Sequence, residues 1–164
     1  MKAVSNAGPL IHLSWLGRLE LLYELFDVVV VPGAVRREVL EGRLDAPGLS
    51  ILRQAFSASL IQTTVVAHEN LESRMPASLH RGEIEAISLA EREHADILLL
   101  DDRVARNEAM RRGLPITGTI GLLHEARERG IIPAVIPLLE ELRSRGFRVS
   151  SELIERIRRE ETAR

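Results

Sequence analysis

GEIEAISLAEREHADILLLDDRVARNEA, residues 82–109, carries three elements in succession. From residue 82 to 93, Ile84, Ala86, Ile87, Leu89 and Ala90 fall on one side of a helix that turns about 100° per residue. Residues 96–100, DILLL, are a short apolar run of the kind found in strands buried on both faces. Residues 102–112 return to a helical pattern and stop at Gly113, a common helix terminator. Helix, buried strand and helix in this order are the parts of a βαβ unit, which requires a parallel sheet covered on both sides.

The same alternation extends in both directions. Strands are expected at residues 3–5, at 28–31 (VVVV), at 60–66 and at 115–117. Helices are expected at 10–16, at 18–26, at 32–41 with Pro32 in the first turn, at 49–58 and at 118–129 closed by Gly130. Gly42 and Pro47-Gly48 bracket a loop, and residues 69–80 are the least regular part. Two helices, 134–145 and 151–162, finish the chain. The expectation is an α/β protein, a three-layer α/β/α sandwich with a central mostly parallel sheet. One domain spans residues 1–164, with the C-terminal helices of about 134–162 packed on it.

Composition narrows the chemistry. The 164 residues are 45% hydrophobic and 28% charged, with a formal net charge of −2, which argues against coating nucleic acid by charge alone. The absence of cysteine removes thiol nucleophiles, disulfides, Cys-based zinc and iron–sulfur clusters. It also fits a reducing compartment. No signal peptide or membrane-length apolar run is read, so a cytoplasmic protein without membrane contact is expected. Of the 22 basic residues only Lys2 is lysine, a bias attributed to overall composition. Among the acids Asp is scarce, yet Asp101 and Asp102 are adjacent.

In parallel sheets, sites form beyond the carboxyl ends of the strands. Three segments lie there: Asn6, the pair Asp101-Asp102, and Thr117 to Thr119. Adjacent carboxylates repel unless a cation or donor lies between them. Asp102 alone is also explained as the cap of the next helix, with Arg106 its partner one turn on. Glu83 falls within roughly 20° of the apolar direction of its helix, where a carboxylate needs a partner. A first-turn acid complementing the helix dipole is the simpler reading. Glu85 points to the opposite side and is expected in solvent. Glu38 reads as a solvated helix acid or a site residue, and Asn6 as a turn residue or a ligand.

These blocks together resemble the PIN-domain family. VSNAGPLIHLSWLGRLELLYELFDVVVVPGAVRREV (4–39) is similar to the family's opening. Residues 82–109, then GLPITGTIGLLHEARERGII and PLLEELRSRGFRVS, are similar to a prokaryotic PIN-like group related to VapC-type toxins. The likeness runs from about residue 3 to about residue 155, and its specificity lies in the order of the blocks. It implies an α/β/α sandwich and an acidic cluster that binds Mg²⁺ or Mn²⁺ and cleaves RNA. Matched position by position, it implies Glu38, Glu83, Asp101 and Asp102 as catalytic residues, and Asn6, Glu83 and Asp102 as metal ligands. Thr119 falls on the family's small hydroxyl position and is implied as a substrate-binding residue. Arg103 and Arg106, which open the helix after the acids, are expected to hold a substrate phosphate. The departure is Asn6, which brings an amide oxygen without charge where the family has an acid. The resemblance further implies a toxin of a toxin–antitoxin pair, a homodimer and a small antitoxin protein as partner.

The leading alternative is a weak or inactive PIN fold that binds nucleic acid or protein. A response-regulator receiver would need a lysine after a late strand, and none follows Lys2. Walker A and GxGxxG patterns are absent. His12, His68, His80, His94 and His124 show no zinc-type spacing, and Trp15 and Phe26 read as core.

Overall fold

A computed structural model describes residues 1–42, 46–67 and 75–163. The strands are β1 (Lys2–Ser5), β2 (Val28–Pro32), β3 (Gln62–Thr64), β4 (Ile97–Leu99) and β5 (Ile116–Thr117). They form one sheet in the order β3-β2-β1-β4-β5, and every pairing is parallel. The helices are α1 (Ala7–Trp15), α2 (Leu21–Leu25), α3 (Gly33–Glu41), α4 (Ala46–Ser57), α5 (Arg81–Arg92), α6 (Arg103–Arg111), α7 (Thr119–Glu128), α8 (Ile136–Ser144) and α9 (Ser151–Thr162).

Strand alternation divides the interior in two. Ala3, Val29, Val31 and Leu99 turn to one face, where α1, α2, α4 and α7 supply Leu10, Leu13, Leu22, Leu52 and Leu122. Val4, Val30, Leu98 and Leu100 turn to the other, against Ile84 and Ile87 of α5 and Ala105 and Ala109 of α6. The helices α8 and α9 place Leu139, Leu142, Ile154 and Ile157 in the first of these cores. The three-layer α/β/α expectation therefore holds, with the sheet wholly parallel rather than mostly so.

Several boundaries move. The helix expected at 18–26 contracts to α2, and the strand expected at 60–66 to β3. The helix expected from residue 49 begins at Ala46, because Pro47 is tolerated in a first turn. Pro32 closes β2 and precedes α3 as its N-cap instead of sitting inside it. Residues 75–80 form turns, while the loop at 43–45, the irregular stretch at 69–74 and His68 lie outside the described residues.

Glu85 corrects the expectation of a solvated side chain, for it is 2% exposed. The outer side of α5 is covered by α3, whose N-cap is a proline with no side-chain acceptor. Glu85 fills that role from another helix: Ala34 N donates to its Oε2 at 3.1 Å, and Arg81 Nε to its Oε1 at 2.9 Å. A helical wheel sees one apolar direction, whereas α5 has two covered sides.

Glu108 of α6 is a second buried acid. It accepts from Arg111 Nη2 at 2.7 Å and Arg112 Nε at 2.6 Å, and Arg112 Nη1 continues to Glu91 of α5 at 3.1 Å. The Arg111 hydrogen bond, against the cost of desolvation and with help from Arg112, holds the Glu108 carboxyl down at about 2. A depressed carboxyl stabilises the fold above its ordinary range and loses that contribution as pH falls through the folded value. Glu108→Gln should therefore lower Tm by roughly 2–4 °C at pH 7, and the difference from wild type should shrink toward pH 2. Thermal melts of both proteins across that range check it; a difference independent of pH removes the ionic explanation.

Candidate functional site

The strand order reverses between β1 and β4, which are neighbours although the chain visits β2 and β3 between them. Such a switch point opens a crevice at the carboxyl ends of the two strands. Asn6 follows β1 there and Asp101-Asp102 follow β4, and the Asn6 amide donates to Leu99 O at 3.0 Å. Because α5 runs back from that edge, its first turn carries Glu83 to the same place, and α3 brings Glu38.

The closest approach is at Gly82. A methyl group added there would lie 2.9 Å from Glu38 Oε2, 3.4 Å from Asn6 Oδ1 and 3.4 Å from Val35 Cγ2. The missing side chain of Gly82 is thus what lets Glu38 and Asn6 meet beside Glu83. Asn6 is buried, and its Oδ1 has no hydrogen-bond partner among the described residues. An orphaned buried carbonyl costs about 1–3 kcal/mol and is seldom left without a purpose.

The carboxylates of this crevice crowd one another. Partial burial of its carboxyl, together with the charge of Glu83 and against that of His80, pushes Glu38 above its ordinary range, although the residue as a whole is exposed, as the solvated reading of it expected. Burial likewise pushes Glu83 up, and the Asp102 charge adds to it, while a hydrogen bond from the His80 amide and the His80 charge oppose. That amide donates to Glu83 Oε2 at 2.9 Å. Asp102 caps α6, accepting from Ala105 N through Oδ1 at 2.9 Å. The capping reading of Asp102 therefore holds, the first-turn acid Glu83 also caps its helix from N3, and each cap occupies one oxygen of its carboxylate.

Asp101 is placed differently. Its Oδ1 accepts from Thr119 N at 2.7 Å, and its Oδ2 accepts from Thr119 Oγ1 at 2.6 Å and from His12 Nδ1 at 2.7 Å. Burial would raise the Asp101 carboxyl, but the hydrogen bonds from His12 and Thr119 outweigh it and hold the group below its ordinary range. Gly8 and Gly118 make the room: a methyl at Gly118 would lie 2.6 Å from Asp101 Oδ1 and 2.9 Å from Leu100 O. Both Asp101 oxygens are spent on this lock, so it is a strut under the crevice. Thr119, expected at substrate, is fully buried with hydroxyl and amide turned onto Asp101.

The helix after the acids divides in two. Arg103 is exposed, with no ion pair among the described residues. Arg106 does not pair with Asp102; its Nη1 donates to Leu100 O at 2.9 Å, since the strand end offers an unpaired carbonyl nearer than the cap. Sequence reasoning missed His12. It lies 89 positions from Asp101, and nothing local to either announces the pair. Its ring packs edge-on to Phe147 at 4.7 Å and tilted against Trp15 at 5.4 Å.

The donor set suits a hard cation. Asn6, Glu38, Glu83 and Asp102 offer oxygen only, and Glu38 and Glu83 are held protonated more readily than usual by burial first and by a neighbouring carboxylate second. Among the described residues no three acids or histidines close around a point. A cation would therefore be held by one or two carboxylates and the Asn6 amide, with water completing its shell, as Mg²⁺ prefers.

A family model described as a PIN domain matches residues 2–162. No curated protein matches the chain. Among solved structures, a PilT N-terminus domain protein from the archaeon Sulfolobus solfataricus P2 is similar at a TM-score of 0.53 and 18% identity, over 77% of this chain and 93% of that one. A domain of a functionally unknown protein from Methanocaldococcus jannaschii DSM 2661 matches at 0.43 and 20%, over 71% and 89%. The first likeness speaks for the fold. With the family model spanning nearly every residue, and with acids gathered at the switch point of a parallel five-stranded sheet, the chain belongs to the PIN domain family.

Proposed function

We propose that this chain is a Mg²⁺- or Mn²⁺-dependent endoribonuclease. The observation that carries the reading is the buried Asn6 Oδ1, without a partner among the described residues and set beside Glu38 and Glu83 at the switch point. A divalent cation bound there would activate water and stabilise the charge that builds on the phosphoryl oxygens. Glu83 and Asp102 would hold it through the oxygens not used for capping, and Asn6 through its amide. Glu38, carrying a raised carboxyl, is suited to take a proton from water and to give it up. Arg103, free to turn in solvent, would meet a substrate phosphate.

The family likeness also supports a finer reading, in which the chain is the toxin of a cytoplasmic toxin–antitoxin pair. It would work as a homodimer and be silenced by a small antitoxin protein. No helix among the described residues is long and apolar enough to cross a membrane. The second reading, a weak or inactive module that binds RNA or protein, is favoured by the uncharged Asn6.

One substitution separates the two. Asn6→Asp restores a carboxylate where an amide now faces the cluster, and affinity for hard cations rises with ligand charge. Calorimetric Mn²⁺ titration should show binding tightened about tenfold, and cleavage of single-stranded RNA at low Mn²⁺ should rise with it. Unchanged Mn²⁺ affinity would mean that Asn6 only makes the turn. A wild-type chain that binds RNA but cuts none with any divalent metal would sink the hydrolytic reading.

A further inference from the structure

A groove of about 380 Å³ runs alongside the acidic crevice, between the ends of β4 and β5, α7 and the segment from Phe147 to Ile157. Asp101 forms part of its wall, so the groove begins one residue from Asp102. Its polar lining is otherwise cationic or neutral: Arg106, Thr117, His124, Arg148 and Arg156. The Asp101 charge is turned away onto His12 and Thr119.

What sets the groove apart is that three arginines line one concavity. Outside the groove several arginines are matched to acids, Arg112 to Glu108 and Glu91, Arg129 to Glu125 and Arg158 to Glu140, while others, such as the exposed Arg103, have no ion pair among the described residues. In the groove Arg106 donates to a main-chain carbonyl and has no ion pair among the described residues. Among the described residues Arg148 has no carboxylate within ion-pair distance, and Arg156 reaches Glu160 only at 4.0 Å. Glu160 also faces His124, at 3.8 Å, and stands at the rim of the basic lining. Two of the three guanidiniums come from the C-terminal segment, which Ile154 and Ile157 fasten to the core. A chain of net charge −2 has thus collected three guanidinium groups in one concavity beside its carboxylates, two of them without an ion pair among the described residues. Guanidinium forks bind phosphate oxygens bidentately, and acids bind none.

We propose that this groove is a phosphate-binding subsite for the backbone of the single-stranded RNA whose scissile phosphodiester lies at the acidic crevice, with Arg148 and Arg156 as its principal contacts and Arg106 at its inner end. The assignment rests on the nuclease reading for its substrate and extends it to residues of the C-terminal segment. The subsite acts on binding and register, and the bond-breaking chemistry stays with the crevice.

Binding and cleavage are measured separately to test it. Anisotropy of a fluorescein-labelled uridine dodecamer, with the full chain in EDTA, should show affinity about tenfold weaker for Arg148→Ala/Arg156→Ala than for wild type at moderate salt. Each phosphate that the double variant no longer neutralises should flatten the slope of log K against log salt by about 0.7. Arg92→Ala, at the far end of α5 on the opposite edge of the sheet, should match wild type, and all three should melt alike. Wild-type affinity and slope in the double variant overturn the proposal, as does no measurable RNA binding by wild type at low salt. Weakened binding in the double variant together with a wild type that cuts no RNA would leave the subsite standing and remove the nuclease reading.

Discussion

Glu83→Gln and Asp102→Asn should each reduce Mn²⁺-dependent RNA cleavage by about a thousandfold while leaving the fold intact. A bound cation that neutralises developing phosphoryl charge contributes several kcal/mol to the transition state, and each 1.36 kcal/mol is tenfold in rate. Removing one anionic ligand removes most of that. Both amides keep the local structure, because an asparagine oxygen still accepts from Ala105 N and a glutamine oxygen from the His80 amide. The two variants therefore separate catalysis from folding, as alanine would not.

Stability should move the opposite way for Glu83. Its carboxyl is raised by burial and by the Asp102 charge, so the folded state holds its proton more tightly than the unfolded chain does. The ionised form is then a cost to the metal-free fold, present above the raised folded value and relieved as pH falls through it. Glu83→Gln removes that cost and should raise Tm of the metal-free protein at neutral pH by a few degrees, within the range usual for relieved active-site strain. Adding Mn²⁺ should stabilise wild type and leave the variant nearly unmoved. Cleavage that survives either substitution would place the metal elsewhere, and a metal-free Glu83→Gln protein that melts lower would contradict the crowding of carboxylates.

Asp101→Ala is expected to be the most damaging single change to stability, at about 3 kcal/mol or roughly 6–12 °C in Tm. It strands the Thr119 amide, the Thr119 hydroxyl and His12 Nδ1 around a cavity where α1, the end of β4 and α7 meet. Gly118→Ala attacks the same lock from outside, where a methyl meets Leu100 O at 2.9 Å and main chain cannot give way. The sign with pH follows from the lowered carboxyl: its contribution is whole above the ordinary aspartate range and is lost as pH falls through the depressed folded value. Wild type should lose stability in that acid window and Asp101→Ala should not. A variant within 1 °C of wild type at pH 7 would reduce the lock to a surface contact.

The parallel sheet was legible because its strands are buried on both faces and so read as unbroken runs, VVVV and DILLL. The end of β4 stood out as the site because two carboxylates in a chain poor in Asp follow a buried strand. Their different roles were not legible. Asp101 and Asp102 are one residue apart, yet β4 turns one toward His12 and Thr119 and the other toward the crevice. Glu85 failed for a related reason, since a wheel drawn on one helix cannot know that α3 covers its back.

What the sequence determined by itself is therefore what depends on near neighbours: helix and strand periods, caps such as Ser150 and Asp102, and the alternation that demands a parallel sheet. Tertiary structure alone decided which polar groups meet across long separations. It set Asn6 Oδ1 and Glu38 against the bare face of Gly82, bound His12 to Asp101 over 89 residues, and gathered Arg106, Arg148 and Arg156 at one groove. The physical reason is that periodicity records only which side of an element is apolar. The partner of a buried charge is chosen by strand order and helix packing, to which distant segments contribute equally.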